Sequence, residues 1–168
     1  MPKIGETVRY GQSGLCKIEG KCTKEIAGEQ QEYFMLTPLF KKGSTVFVPC
    51  ANEELVQKMC SPLLEEEIHL LLARAAEEEL EWIRDFRRRS EASKKALGSN
   101  DRLDALLLIK SIYAHRKENQ GKGARVHTTD DYFLKDAEQL IYSEIAYVQN
   151  KEYEIVAQEI KAMLKIEE

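Results

Sequence analysis

The 168-residue sequence contains no recognisable catalytic motif. It has no G-x-S-x-G, no H-E-x-x-H and no phosphate-binding loop ending in G-K-[ST]. The stretch 121-GKG-123 is too short and follows no predicted strand. The three histidines, His69, His115 and His127, are far apart in the chain. We therefore expect a protein without enzymatic activity and without a small-molecule substrate.

The cysteines do not form a metal-binding pattern. The sequence has four, and no pair is spaced C-x-x-C. The separation of Cys16 and Cys22 is wider than a zinc knuckle uses, and no histidine lies near them. We expect reduced thiols, no metal and no cofactor. A thiol or metal protein built on these cysteines stays as a further alternative.

Long apolar runs are also missing. The longest, 105-ALLLI-109, is far shorter than a membrane span. The first ten residues, MPKIGETVRY, lack the apolar core of a signal peptide. We expect a cytoplasmic protein with no membrane partner.

Positive charge is concentrated in the middle of a chain whose net charge is −4. Residues 84–125 carry 12 basic and 5 acidic side chains, whereas residues 59–83 carry 1 and 7 and residues 126–168 carry 4 and 10. Four arginines and two lysines follow Trp82, the only tryptophan, within thirteen residues. A basic block of this kind can bind phosphate despite a negative net charge. The alternative is a solvated helical face with internal ion pairs.

The first 50 residues have the pattern of short strands. Glycines punctuate runs rich in β-branched and aromatic residues, with 28-GEQ-30 as the predicted hairpin tip and Pro49 closing the last strand. The runs are 7-TVRY-10, 15-LCKIEG-20, 32-EYFMLT-37 and 45-TVFVP-49. Strands this short predict a small, strongly bent barrel.

Beyond residue 52 apolar residues recur at helical spacing. Pro62, capped by Ser61, fits the first turn of one helix, and a second helix contains Trp82 and ends at Gly98. Ser99 or Asn100 caps a third, Thr128 or Thr129 starts a fourth, and Asn150 precedes the last. The predicted fold class is α+β: a small Tudor/SH3-like β-barrel over 1–55, then an all-α bundle of about five helices over 60–168.

Several motifs, in the same order along the chain, resemble the CarD/CdnL family of transcriptional regulators. In the N-terminal half they are 4-IGETVRYGQSGLCKIEG-20, 28-GEQQEYFMLTP-38 and 44-STVFVP-49. In the helical half they are 82-WIRDFRRR-89, 97-LGSNDR-102, 110-KSIYAHRK-117 and 137-AEQLIYSEIAYV-148. A related N-terminal domain occurs in transcription-repair coupling factors.

The resemblance implies a barrel that binds the β subunit of bacterial RNA polymerase and a helical domain that contacts promoter DNA upstream of the melted region. The family's tryptophan that matches Trp82 acts as a minor-groove wedge and stabilises the open complex. The basic residues expected to contact DNA with it are Arg84, Arg87, Arg88, Arg89, Lys94, Lys122 and Arg125. On a continuous helix Arg89 lies on nearly the same face as Trp82, while Leu80, Ile83 and Phe86 form the buried side.

The expected polymerase contacts are Lys24, Phe47, Lys41 and Lys42. Two positions depart from the family pattern, since Phe47 stands where the family uses a basic residue and Asp85 stands where a second basic residue is common. The alternative function is a polymerase adaptor without DNA contact, in which Trp82 is buried and glutamates neutralise the arginines. The two differ in whether Trp82 is exposed beside a positive patch.

Overall fold

The chain folds as two compact units, Met1–Pro62 and Leu63–Glu168, in a computed structural model that describes residues 1–123 and 127–167. The first unit is an antiparallel sheet with one short α-helix and one 3-10 turn, and the second is helical. The predicted α+β class is confirmed. None of the described helices is long and apolar enough to cross a membrane.

The sheet has five strands in the order β4-β3-β2-β1-β5. Their bounds are β1 Thr7–Tyr10, β2 Leu15–Ile26, β3 Glu29–Pro38, β4 Val46–Pro49 and β5 Met59–Cys60. A short helix, α1 Glu53–Gln57, precedes β5, and neither was predicted from the sequence. The side chain of Asn52 caps α1 by accepting a hydrogen bond from the amide of Leu55.

A long hairpin of β2 and β3 dominates the sheet. Its register runs from Cys16 opposite Pro38 to Ile26 opposite Glu29. Ala27 and Gly28 form the turn, and both have positive φ, 53° and 81°. Two-residue turns with positive φ at both positions match the twist of the strands. The tip therefore lies one residue earlier than the sequence predicted.

The predicted small barrel is not closed, because the sheet is open. β4 and β5 lie at opposite edges, and the pairings described for residues 1–62 do not join them. These edge strands span four and two residues, which leaves little backbone for a closing ladder. A register shift between Ile18 and Gly20 bends β2 as a bulge does, so curvature is present without closure.

One face of the sheet carries a small apolar core. Val8, Cys16, Ile18, Phe34, Leu36 and Val48 are buried in it. Burial raises the pKa of the Cys16 thiol to about 11, so this thiol stays protonated and unreactive at neutral pH. Cys22, Cys50 and Cys60 are also free thiols. Within the described residues, no group of three or more histidine, cysteine or acidic side chains is arranged to hold a metal ion.

The described residues of the helical unit, 63–123 and 127–167, form five helices. They are α2 Glu65–Glu77, α3 Phe86–Gly98, α4 Arg102–Glu118, α5 Thr128–Gln149 and α6 Tyr153–Met163. Its core is built mainly on α4 and α5, where Leu106, Ile109 and Ile141 have no exposed surface. Asn150 separates α5 from α6, as the sequence predicted, and the structure places it in the left-handed conformation.

Two predicted helix starts are wrong. Ser61 and Pro62 precede α2, which begins at Glu65 after Leu64, and the Glu67 carboxylate accepts a hydrogen bond from the Leu64 amide at 2.7 Å. Asp101, rather than Ser99 or Asn100, caps α4 by accepting from the Leu103 amide. In both cases a carboxylate that can reach the free amides is the residue that fixes the helix end.

Candidate nucleic-acid and polymerase interfaces

Trp82 lies in an irregular connector between α2 and α3, not in a helix. We call residues 78–85 the Trp82 connector. The predicted continuous helix is interrupted because Asp85 caps α3, its Oδ1 accepting a hydrogen bond from the Arg88 amide at 2.8 Å. Asp85, which departs from the family pattern, therefore has a structural role as an N-cap.

The indole ring of Trp82 is half-buried and packed against two polar side chains. The imidazole of His115 on α4 stacks on it with ring centroids 3.7 Å apart and an interplanar angle of 6°. The guanidinium carbon of Arg89 lies over the ring, 4.6 Å from its centroid. Trp82 is thus neither a core residue nor a freely exposed one.

The predicted buried side of this segment is largely wrong. Leu80 is 45% exposed and Phe86 is 40% exposed, and Ile83 is only half-buried. The Phe86 ring instead stacks on His127, with centroids 4.5 Å apart. The prediction placed these residues on one helical face, and the break at Asp85 removes that periodicity.

Arg89 does not belong to the exposed basic surface. Its side chain is 8% exposed, and its Nε and Nη2 donate to the two carboxylate oxygens of Asp130 at 3.0 and 2.9 Å. Its Nη1 donates to the carbonyls of Ile83 at 2.9 Å and Arg84 at 3.2 Å. The geometry therefore speaks against the predicted DNA contact by Arg89, since these donors are already used inside the protein.

The other predicted DNA-contacting cations are exposed on the helical unit. They are Arg84, Arg87, Arg88, Lys94 and Lys122, whereas Arg125 lies outside the described residues. None of these five takes part in an ion pair in the part of the chain that the structure describes. Glu78, a candidate partner for the arginines, pairs instead with Arg74 at 2.6 Å. The positive charge beside Trp82 is therefore not neutralised by neighbouring glutamates.

The first turn of α3 adds the positive end of a helix dipole to this charge. Arg87 and Arg88 are in that turn, which contains no acidic residue. Helix N-termini bind anions such as phosphate through their amides and dipole. Lys94 is seven residues beyond Arg87 and lies on the same stripe of the helix, with Glu91 between them.

His115 is less basic than an ordinary histidine. Partial burial lowers its pKa below 6.5, and the positive charge of Arg89 lowers it further, against opposing contributions from Asp130 and Glu118. The imidazole is therefore mostly neutral at pH 7. A neutral ring can stack on the indole without bringing a second cation next to Arg89.

A pocket of about 350 Å³ opens beside the indole. Its walls include Trp82, Ile83, Leu107, Ile112 and the Arg89–Asp130 pair. The pocket explains why Trp82 is only half-buried, since one part of the ring borders space rather than protein.

In the sheet unit, two of the predicted polymerase-contacting residues touch each other. The ammonium of Lys24 on β2 lies 3.3 Å from the ring centroid of Phe47 on β4 and 5.9 Å from that of Tyr33 on β3. Phe47 remains 39% exposed. The structure thus combines an aromatic surface and a cation at the place where sequence comparison expected a basic residue.

Lys41 and Lys42 are exposed in the connection between β3 and β4. The Lys41 ammonium donates a hydrogen bond to the Gln12 carbonyl at 3.2 Å, so it also holds two loops together. Within residues 1–62, no hydrogen bond, ion pair or cation–π contact joins these two lysines to the Lys24–Phe47 pair.

Sequence reasoning missed three residues around the indole. They are Lys110, His115 and Asp130, and the first two belong to the motif 110-KSIYAHRK-117. Lys110 and His115 reach the Trp82 connector from α4, whereas Asp130 on α5 contacts it only through Arg89, so no periodicity distinguishes these residues. For Lys110 and His115, the only signal in the sequence was the family-like motif 110-KSIYAHRK-117, to which no role had been assigned.

Residues 3–60 match the family model of the CarD-like/TRCF RID domain. The match lies within the sheet unit, so the chain carries a CarD-like domain there and is similar to the CarD-like family. This domain supports an RNA-polymerase-interacting transcription factor, and RNA polymerase is the partner that it implies. The domain itself is a non-enzymatic interaction module.

Proposed function

We propose that this protein regulates bacterial transcription by binding the β subunit of RNA polymerase through its sheet unit and promoter DNA through its helical unit. Trp82 enters the minor groove at the upstream edge of the melted region. There it slows closure of the bubble and stabilises the open complex. Such a protein works in the bacterial cytoplasm and needs no cofactor.

The observation that carries this proposal is an incompletely buried indole beside exposed cations without ion-pair partners. Arg84 lies in the Trp82 connector, and Arg87 and Arg88 lie in the turn that follows it. In an adaptor without DNA contact, we would expect the nearby glutamates to neutralise these arginines. The described residues contain no such pairs.

Binding of the wedge to DNA requires both the indole and the exposed cations. Unstacking a base step costs about a few kcal/mol, so a wedge needs other contacts that offset this cost. Phosphate contacts by arginine and lysine supply affinity and position the protein on the duplex. The sequence of the basic region offers no base-reading code, so we expect recognition of groove shape and backbone rather than a consensus site.

The sheet unit provides the tether. A domain that holds the helical unit on polymerase raises its local concentration near the promoter, so weak DNA binding is sufficient. The Lys24–Phe47 pair is the proposed contact with the β subunit, supported by its partial exposure and by the cation on the aromatic ring. Lys41 and Lys42 supply further positive charge in the same unit.

The decisive experiment measures the lifetime of a promoter open complex formed by bacterial RNA polymerase with and without this protein. We expect the wild type to lengthen the lifetime and Trp82→Ala to abolish the effect while binding to the β subunit is unchanged. Leu70→Ala is the matched control, because Leu70 is 73% exposed on α2 and its removal deletes apolar surface elsewhere. Equal lifetimes with wild type and Trp82→Ala would refute the wedge.

The second candidate is the adaptor without DNA contact. The half-burial of Trp82 and the internal pairing of Arg89 favour it, because both reduce the surface available to DNA. It predicts unchanged open-complex lifetimes and no salt-dependent DNA affinity of the helical unit. The same experiment therefore separates the two candidates.

A further inference from the structure

The Trp82 connector has no regular secondary structure, yet side chains from the bundle hold it at both ends. The Lys110 ammonium on α4 donates to the carbonyls of Ala75 at 3.0 Å, Ala76 at 3.1 Å and Glu78 at 2.8 Å. This fixes the end of α2 and the first residue of the connector. At the other end, Arg89 donates to the carbonyls of Ile83 and Arg84.

The indole itself is held by the same group of helices. His115 covers it with an almost parallel ring, and Arg89 lies over it. Arg89 is in turn fixed by the bidentate pair with Asp130 on α5. A bidentate guanidinium–carboxylate pair fixes the orientation of the two side chains and also stabilises their contact. Three helices, α3, α4 and α5, therefore determine the direction of a side chain that lies on none of them.

From these contacts we infer that Lys110, Arg89 and His115 are positioning residues that hold Trp82 in the orientation in which it meets DNA. This inference rests on the proposed function and deepens it. A side chain that is already ordered loses less freedom on binding than a mobile one, so more of its contact energy remains as affinity. Arg89, which the sequence analysis assigned to phosphate, acts on DNA only through Trp82.

The first test measures the free, full-length protein. Trp82 is the only tryptophan, so acrylamide quenching of its fluorescence reports this one side chain. A stacked pair shifts an equilibrium by about two- to tenfold, so His115→Ala should raise the accessible fraction of Trp82 by a comparable factor. His115→Phe keeps an aromatic ring and should restore the wild-type value. Lys110→Met keeps an aliphatic stem but loses three hydrogen bonds, and it should also raise quenching.

The second test uses open complexes of the whole polymerase. We expect His115→Ala and Lys110→Met to shorten the open-complex lifetime and His115→Phe to preserve it. In a Trp82→Ala background, neither change should have a further effect, because a positioning residue acts only through the residue it positions. Far-UV circular dichroism on each variant establishes that the helices are intact.

Two patterns overturn the inference alone. In one, Trp82→Ala shortens the lifetime while His115→Ala and Lys110→Met leave quenching and lifetime unchanged. In the other, these changes shorten the lifetime equally in the Trp82→Ala background, which would indicate a general structural effect. Equal lifetimes with wild type and Trp82→Ala would overturn the proposed function and the positioning role together.

Discussion

Replacing Asp130 with asparagine should destabilise the helical unit strongly. The Asp130 carboxylate is 4% exposed and accepts two hydrogen bonds from Arg89, whose side chain is 8% exposed. Asparagine keeps the shape but removes the charge. It also turns one acceptor into an amide donor that faces an Arg89 donor. The variant therefore leaves a buried cation without its counter-ion.

The size of the effect follows from this burial. Removing one partner of a buried ion pair costs about 3–5 kcal/mol, a large share of the ~5–15 kcal/mol by which domains are stable. Asp131→Asn is the matched control, because Asp131 is the next residue in the first turn of α5 and pairs with Arg116 at the surface. Both substitutions remove an acidic charge near the same helix start. The exposed pair is worth only ~0–1 kcal/mol.

Urea unfolding, followed by Trp82 fluorescence and far-UV circular dichroism, measures the difference. For a slope of ~2 kcal/mol per molar urea, Asp130→Asn should lower the midpoint by ~2 M and Asp131→Asn by less than ~0.5 M. Similar midpoints for the two variants would refute the argument. That result would mean that solvent or rearranged neighbours stabilise Arg89 without the carboxylate.

Three further predictions concern DNA, polymerase and pH. Arg87→Ala should weaken DNA binding by the full-length protein irrespective of sequence and reduce the salt slope by ~1, as measured by anisotropy across a salt series. Lys24→Ala and Phe47→Ala should each weaken binding to the polymerase β subunit, and the double variant should lose less than the sum, because the two side chains touch. His115 should titrate with a midpoint below pH 6.5, detected as a change in Trp82 fluorescence. Since folding lowers its pKa, the unfolded chain binds this proton more readily, so the stability it contributes is present above pH 6.5 and lost as the pH falls.

Each of these predictions has a control in the chain. Lys135→Ala removes an exposed charge on α5 and should leave the DNA salt slope unchanged. Lys17→Ala removes an exposed charge on β2 and should not affect polymerase binding. His115→Phe should abolish the fluorescence titration below pH 6.5. A titration that persists in this variant would assign the signal to a group other than His115.

The sheet unit was largely predictable because local chemistry determines it. β-branched and aromatic runs between glycines marked the strands, and β1 was predicted with its observed bounds. The open topology was not predictable in the same way. The open topology depends on the placement of β4 and β5 at opposite edges of the sheet. These strands have only four and two residues, too few for a residue pattern that would specify their neighbours.

The candidate site was harder to predict, because its geometry comes from tertiary contacts. Helical periodicity placed Trp82 and Arg89 on one face, but the Asp85 cap starts a new helix between them. The two side chains do meet, but they do so because the Trp82 connector places the indole beside Arg89, and not because the two residues lie on successive turns of one helix. The buried partner, Asp130, is 41 residues away from Arg89 in the sequence. Helix and strand periodicity relate only residues that are close in the sequence, so a single sequence does not predict a pair this far apart.

The first turn of α3 shows where local preference and observed sequence disagree. Cations near a helix N-terminus oppose the dipole, at ~0.3–1 kcal/mol each, and Arg87 and Arg88 both occupy that turn. Other helix starts in the chain follow the rule, since acidic residues occupy the first turns of α2, α4 and α5. A local cost without a visible structural compensation is expected where a sequence serves binding rather than stability. If phosphate is the missing partner, Arg87→Ala should bind DNA less tightly and yet unfold at equal or higher urea concentration. Loss of both affinity and stability would instead show that Arg87 supports the fold.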